Sequence, residues 1–204
     1  MLRIYGSAKS RGLRVLWMTG ELGLAYDHKD WLPRSPETRT PEYRALNPNG
    51  RVPTIDDDGF ILSESMAINF YLAKKHKSPL YPADPKNEAR ALQWSLWETD
   101  RLDRQLVNYC RHTRDLPEAE RKPEIADAAW KEVEPAFNVL ETALTRSEWL
   151  AGPAFSAGDL NVAAALYRAL SLDLAKWPHL QAWLKRCWER PAAKKARAMR
   201  EEKG

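Results

Sequence analysis

Cysteine is nearly absent from this chain. Its two copies, Cys110 and Cys187, stand far apart among 204 residues and join neither a C-x-x-C pair nor a Cys/His ligand cluster. A disulfide framework and a metal site are therefore not expected, and a reducing compartment suits the composition. Long apolar runs are missing as well. Arg3, Lys9, Arg11, Arg14 and Glu21 interrupt residues 1–25, and no window approaches the roughly 18 apolar residues of a membrane span. The expectation is a cytoplasmic protein with no membrane association. Nor does charge of one sign prevail: the net +4 arises from 32 basic and 28 acidic residues that mostly alternate. The clearest basic run, Lys194-Lys195-Ala196-Arg197 with Arg200, reads as a solvated helix face rather than a nucleic-acid patch.

What is present supports a sizeable core. Hydrophobic residues make up 44% of the chain, enough to fold without staples. Of nine tryptophans, seven (Trp94, Trp97, Trp130, Trp149, Trp177, Trp183 and Trp188) fall beyond residue 86 among helical patterns, where core packing is the expected role.

Leu2 to Tyr5 alternates like a half-buried strand and stops at Gly6-Ser7, after which Leu13, Leu16, Trp17 and Leu22 recur at helical spacing. Tyr26 to Trp31 reads as a second strand, giving a β-α-β unit with a parallel pair. Residues 33–50 look like a long connection with one short helix. Val52 to Ile55, a turn over Asp56 to Gly59, and Phe60 to Leu62 spell a hairpin, followed by a helix that opens at Ser63-Glu64-Ser65. The expected first domain is thus α/β, residues 1–77, with a mixed four-stranded sheet. Residues 78–85 hold three prolines and read as a linker. From 86 to 204 nothing alternates like a strand, so an all-α helical-bundle domain is expected. Ser156-Ala157-Gly158-Asp159 has the form of a capping box, and Pro135 falls inside a helical segment.

The order β-α-β then β-β-α resembles a thioredoxin-like domain, and Val52-Pro53 stands where that fold keeps a cis proline. The spare backbone groups of Val52 could then pair with an extended peptide as an added strand would. Thioredoxins place a nucleophilic cysteine at the start of the first helix, but this loop offers Ser7 and Ser10 instead. Hydroxyls donate hydrogen bonds and form no disulfide, so a reactive sulfur must come from the ligand. Ser10 is equally suited to cap the first helix. Glu64 and Ser65 could bind the ammonium and carboxylate of an amino-acid head group, and helix capping explains them equally well.

Four segments carry a closer resemblance. They are Tyr5 to Trp17 with Glu21-Leu22-Gly23-Leu24; Asn47 to Pro53 with Leu62 to Ile68; Phe155 to Asp159; and Trp183 to Pro191. In this order they resemble the cytosolic glutathione S-transferases over nearly the whole chain, of a serine-type bacterial, theta- or beta-like kind. The resemblance implies that Ser10, in an S-x-x-x-R arrangement with Arg14, hydrogen-bonds the glutathione sulfur. Ser7 is a second candidate and Tyr5, where other classes use a tyrosine, a third. It further implies that Arg51, Val52 and Pro53 meet the peptide, and that Glu64 and Ser65 bind the γ-glutamyl end. Glutathione is then a cosubstrate, with no other cofactor. The second substrate is a small hydrophobic electrophile in a pocket where Trp94, Trp97 or Tyr109 stand. Family members are usually homodimers in which an acidic residue reaches the partner's glutathione; Glu98, Asp100 and Asp103 all lie in the right region. The same scaffold also serves non-catalytic interaction modules and glutathione-dependent isomerases, dehalogenases and peroxidases.

Overall fold

The computed structural model describes residues 1–202. The chain divides into two units, one formed by Met1–Tyr81 with the stretch from Glu189 onward, the other by Pro82–Trp188. In the first, strands β1 (Leu2–Tyr5), β2 (Tyr26–Lys29), β3 (Thr54–Asp57) and β4 (Phe60–Ser63) form a sheet in the order β2-β1-β3-β4. β1 and β2 are parallel; β3 is antiparallel to both β1 and β4. The expected β-α-β-β-β-α order is present. β3 begins two residues later than the sequence pattern suggests, because Pro53 has no N–H to give the ladder. The hairpin turns on Asp58-Gly59, both at positive φ, which suits the right-handed twist of the flanking strands.

Helix α1 (Gly12–Glu21) crosses between β1 and β2 and is buried along most of its length through Leu13, Val15, Leu16, Trp17 and Met18. The long connection holds a 3-10 turn at Pro36–Arg39 and α2 (Pro41–Leu46), whose N-cap Thr40 accepts from the Tyr43 N–H. Helix α3 (Ser65–Lys75) buries Ile68 and Leu72.

The second unit contains α4 (Pro85–Arg101), α5 (Asp103–Cys110), a π-helical turn at Arg111–Asp115, α6 (Pro123–Leu144), α7 (Ala157–Ala165) and α8 (Pro178–Glu189). α6 is one helix, with Pro135 inside it. The capping box at Ser156 and Asp159 is present. It does more than start a helix: the fully buried Asp159 carboxylate also accepts from Leu150 N–H at 2.8 Å and Trp183 Nε1–H at 3.0 Å, tying α7 to α8. Four of the nine tryptophans (Trp17, Trp177, Trp183 and Trp188) are buried; the others are half-exposed.

The last helix, α9 (Pro191–Glu201), was expected with the helical domain but packs on α1 of the first unit. The reason is a stripe of small residues. Ala192, Ala193 and Ala196 are buried, and Ala192 Cβ stands close to Gly20. Arg190, just ahead of α9, closes the contact with two 2.7 Å bonds to Glu21.

Candidate functional site

Three segments of the first unit meet around the start of α1. The loop after β1 leaves the sheet at Gly6, whose φ of 140° suits glycine alone. A Cβ there would stand 3.1 Å from Val52 Cβ and 3.2 Å from Pro53 Cα, so the loop lies directly against the Val52–Pro53 bond, which is cis. Gly6 N–H donates to Lys29 O and Ser7 N–H to Trp31 O, each at 2.9 Å. His28 Nε2–H donates to Gly6 O at 3.0 Å.

Within the loop the two serines differ. Ser7 is buried and its Oγ accepts from Lys9 N–H at 3.1 Å. Ser10 is half-exposed. Its hydroxyl donates to Ser7 O at 2.7 Å and accepts from Gly12 N–H, the first residue of α1, at 3.0 Å. Ser10 therefore does satisfy a free N–H at the helix start, one position ahead of the backbone N-cap, Arg11. Ser7 O also accepts from Ser10 N–H at 3.0 Å. Tyr5 is placed otherwise: it is buried among Trp31 and Tyr43, with ring centroids 5.1 and 5.6 Å away. Nearby, Tyr5 and Asp27, whose carboxylate accepts from Arg3 Nε at 2.8 Å, keep the Arg3 guanidinium firmly protonated.

The second segment is braced from behind. Arg51 is exposed, but its carbonyl accepts from Tyr43 OH at 2.6 Å and Asn47 Nδ2 at 2.9 Å, and both groups also reach Thr54 Oγ1. Burial raises the Tyr43 phenol above its ordinary range, so it stays a donor. Among the described residues, the N–H and C=O of Val52 enter no backbone hydrogen bond.

The third segment holds a conformation that composition does not announce. Glu64 sits at the N-cap position of α3 with φ 71° and ψ 108°, and its side chain caps nothing. A side chain with a Cβ is strained there by about 1–3 kcal/mol, a cost met mostly at binding sites. Its carboxylate is exposed. Ser65, the first residue of α3, is buried and accepts from Arg14 Nη1 at 3.3 Å. Arg14 is 3% exposed; it brings a guanidinium to a helix N-terminus that is itself positive, and this combination favours an anion. Asn69 Nδ2 holds Arg14 O at 3.2 Å.

Of the residues singled out from the sequence, Ser7, Ser10, Val52, Pro53, Glu64 and Ser65 come from these three segments, and Arg51 adjoins them. Glu98 and Asp103 are buried, whereas Asp100 is exposed. Both cysteines are buried and unbridged. Burial pushes the Cys110 thiol up to about 11, so it is protonated at neutral pH. Among the described residues no helix is long and apolar enough to cross a membrane, and no cluster of three or more His, Cys, Asp or Glu could hold a metal.

A thioredoxin-like sheet, a serine loop in place of a cysteine, and an anion-favouring helix start define a class of protein that handles a small peptide-like ligand. The family comparisons agree. Residues 10–75 match the model of the glutathione S-transferase N-terminal domain and residues 100–191 that of its C-terminal domain. The chain is 30% identical to glutathione S-transferase GstB of Escherichia coli, with 96% of this chain and 97% of that one covered. It is also 30% identical to glutathione S-transferase D7 of Drosophila melanogaster, covering 90% and 83%. The solved theta class glutathione S-transferase of Xanthomonas axonopodis pv. citri, with glutathione bound, superposes with a TM-score of 0.89 at 33% identity, covering 96% of each chain. The chain belongs to the glutathione S-transferase family.

Proposed function

We propose that this protein is a glutathione transferase that joins the glutathione sulfur to a hydrophobic electrophile, with Ser10 as the group that keeps the sulfur ionised. The observation that carries the choice of Ser10 is its paired hydrogen bonding. Its oxygen accepts from the Gly12 N–H at the start of α1, which polarises the hydroxyl as a donor. Its proton rests on Ser7 O, a carbonyl that keeps the Ser10 N–H when that proton swings away. Turning the hydroxyl to a thiolate therefore strands no acceptor. Tyr5 is buried against Trp31 and Tyr43, and Ser7 is buried as well.

A free thiol with pKa about 8.5 is only a few per cent ionised at neutral pH, and lowering it two units takes about 2.7 kcal/mol. A hydrogen bond to the charged sulfur contributes about 1.5–3 kcal/mol, and the N-terminus of α1 about 0.3–1 kcal/mol more. The two together reach the requirement. The thiol proton passes to solvent on binding. The thiolate then attacks an electrophilic carbon; the S–C bond forms as the leaving group departs with its electron pair, and proximity supplies the rest of the rate.

The remaining residues hold the tripeptide. Val52 pairs with the cysteinyl backbone beside Pro53. Glu64 pairs with the γ-glutamyl ammonium; Ser65, the N-terminal end of α3 and the nearby Arg14 receive its carboxylate. Arg51 contacts the peptide at its exposed edge. Residues 1–77, together with α9 on α1, form the glutathione-binding domain, residues 78–85 the linker that leads into α4, and helices α4 to α8 the apolar contacts to the electrophile. The protein acts in the cytoplasm as a homodimer, with Asp100 the exposed acidic residue of α4 available to a partner. No further cofactor takes part. Retention on immobilised glutathione with turnover of a chloronitroaromatic substrate tests the reading. Ser10→Ala should lower turnover about tenfold or more while changing glutathione affinity little. An unchanged rate would move the role to Ser7 or Tyr5, and absence of both retention and turnover would point to an interaction module.

A further inference from the structure

The basic run near the C-terminus is only partly a solvated face. Lys194, Lys195 and Arg197 are exposed. Ala192, Ala196 and Arg200 stand four residues apart and share the side of α9 that meets α1. The two alanines are buried, and Arg200 Nη1 donates to Ala8 O at 2.7 Å. Ala8 is 2% exposed and lies between Ser7 and Ser10. At the opposite end of the same helix pair, Arg190 grips Glu21. α9 therefore runs antiparallel to α1 and is tied at both ends, once to a helix and once to the serine loop.

We propose that Arg200 is a positioning residue for that loop. Its guanidinium holds the Ala8 carbonyl and so fixes the Ser7–Ser10 turn in the geometry that aims the Ser10 hydroxyl at the ligand sulfur. This rests on the role assigned to Ser10 above. The bonds inside the turn, from Lys9 N–H, Ser10 N–H and the Ser10 hydroxyl to Ser7, set its shape but not its seating on the domain. Seating comes from distant residues: Trp31 O holds the start of the turn and Arg200 its middle. A hydrogen bond from a charged donor in a poorly hydrated place is roughly twice as strong as a neutral one, which suits a clamp.

The test compares Arg200→Ala, Arg200→Lys, Arg190→Ala and Ser10→Ala in the full chain. Amide exchange at Ser10 and Gly12 reads the loop directly, and should speed up about tenfold in Arg200→Ala. The pKa of bound glutathione, read from thiolate absorbance, should rise by about one unit. At neutral pH kcat/KM should fall about tenfold, with KM for glutathione moving less than about threefold. Lysine, which can still donate one bond, should restore part of each. Arg190→Ala should lower the melting temperature and leave the pKa of bound glutathione in place. Unchanged exchange in Arg200→Ala, or an equal pKa shift in Arg190→Ala, would overturn the clamp whatever the chemistry. A silent Ser10→Ala beside an impaired Arg200→Ala would support the clamp while refuting the role of Ser10.

Discussion

Replacing Glu64 by glycine should make the protein more stable and a poorer enzyme. Glu64 holds φ 71° and ψ 108°, outside the left-handed helical well, where a side chain costs about 1–3 kcal/mol. Glycine removes most of that cost but gives the unfolded chain more freedom, returning about 0.5–1 kcal/mol. The net gain is about 0.5–2 kcal/mol, or a rise of a few degrees in melting temperature at about 2–4 °C per kcal/mol for a chain of this size. The same change deletes the carboxylate proposed to hold the γ-glutamyl ammonium. Losing one charge-assisted bond of about 1.5–3 kcal/mol weakens glutathione binding by about ten- to a hundredfold. Glu64→Ala separates the two effects, since it keeps the strain and loses the carboxylate. Urea unfolding should be measured without glutathione, because bound ligand stabilises the folded form by mass action; KM for glutathione is read separately. Glu64→Gly no more stable than Glu64→Ala would refute the strain argument, and Glu64→Ala with unaltered KM would refute the ammonium pairing.

Two predictions concern the rest of the molecule. Asp159→Ala leaves the Leu150 and Ser156 N–H groups and the Trp183 indole N–H without their buried acceptor, at a cost of about 1–3 kcal/mol for each stranded donor; thermal melting should show it, with a smaller loss in Asp159→Asn. Asp57 gives a pH signature. Burial opposes its ionisation, but bonds from Lys75 and Tyr71 outweigh that and hold the carboxyl below its ordinary 3.8. A carboxyl depressed in the folded state stabilises fully above its unfolded value and loses that contribution as pH falls through the folded one. The gap in urea midpoint between wild type and Asp57→Asn should therefore be constant near neutrality and close below pH 3.8.

The sheet was legible because its cues are local: alternation in β1, Asp58-Gly59 between two apolar runs, and Pro53 ahead of β3. Asp159 announced itself through its spacing from Ser156. The site was legible in part. Ser10, Val52 and Ser65 fall at the ends of readable elements. The positive φ of Glu64 did not show, because glutamate carries no preference for that region and only the folded chain imposes it. Tyr43 and Asn47 converge on the Arg51 carbonyl through tertiary contacts, which a single sequence does not display. Arg200 was hidden for a related reason: a basic residue in a basic run looks solvated until the alanine stripe beside it is seen to bury one side of α9.

A crystal structure of the protein with reduced glutathione tests the central claim most directly. The expected complex has the cysteinyl backbone paired with Val52, the γ-glutamyl end at Glu64 and Ser65, and the sulfur within about 3.5 Å of Ser10 Oγ. A sulfur nearest the Tyr5 or Ser7 hydroxyl, or a tripeptide bound away from Val52 and Ser65, would contradict it.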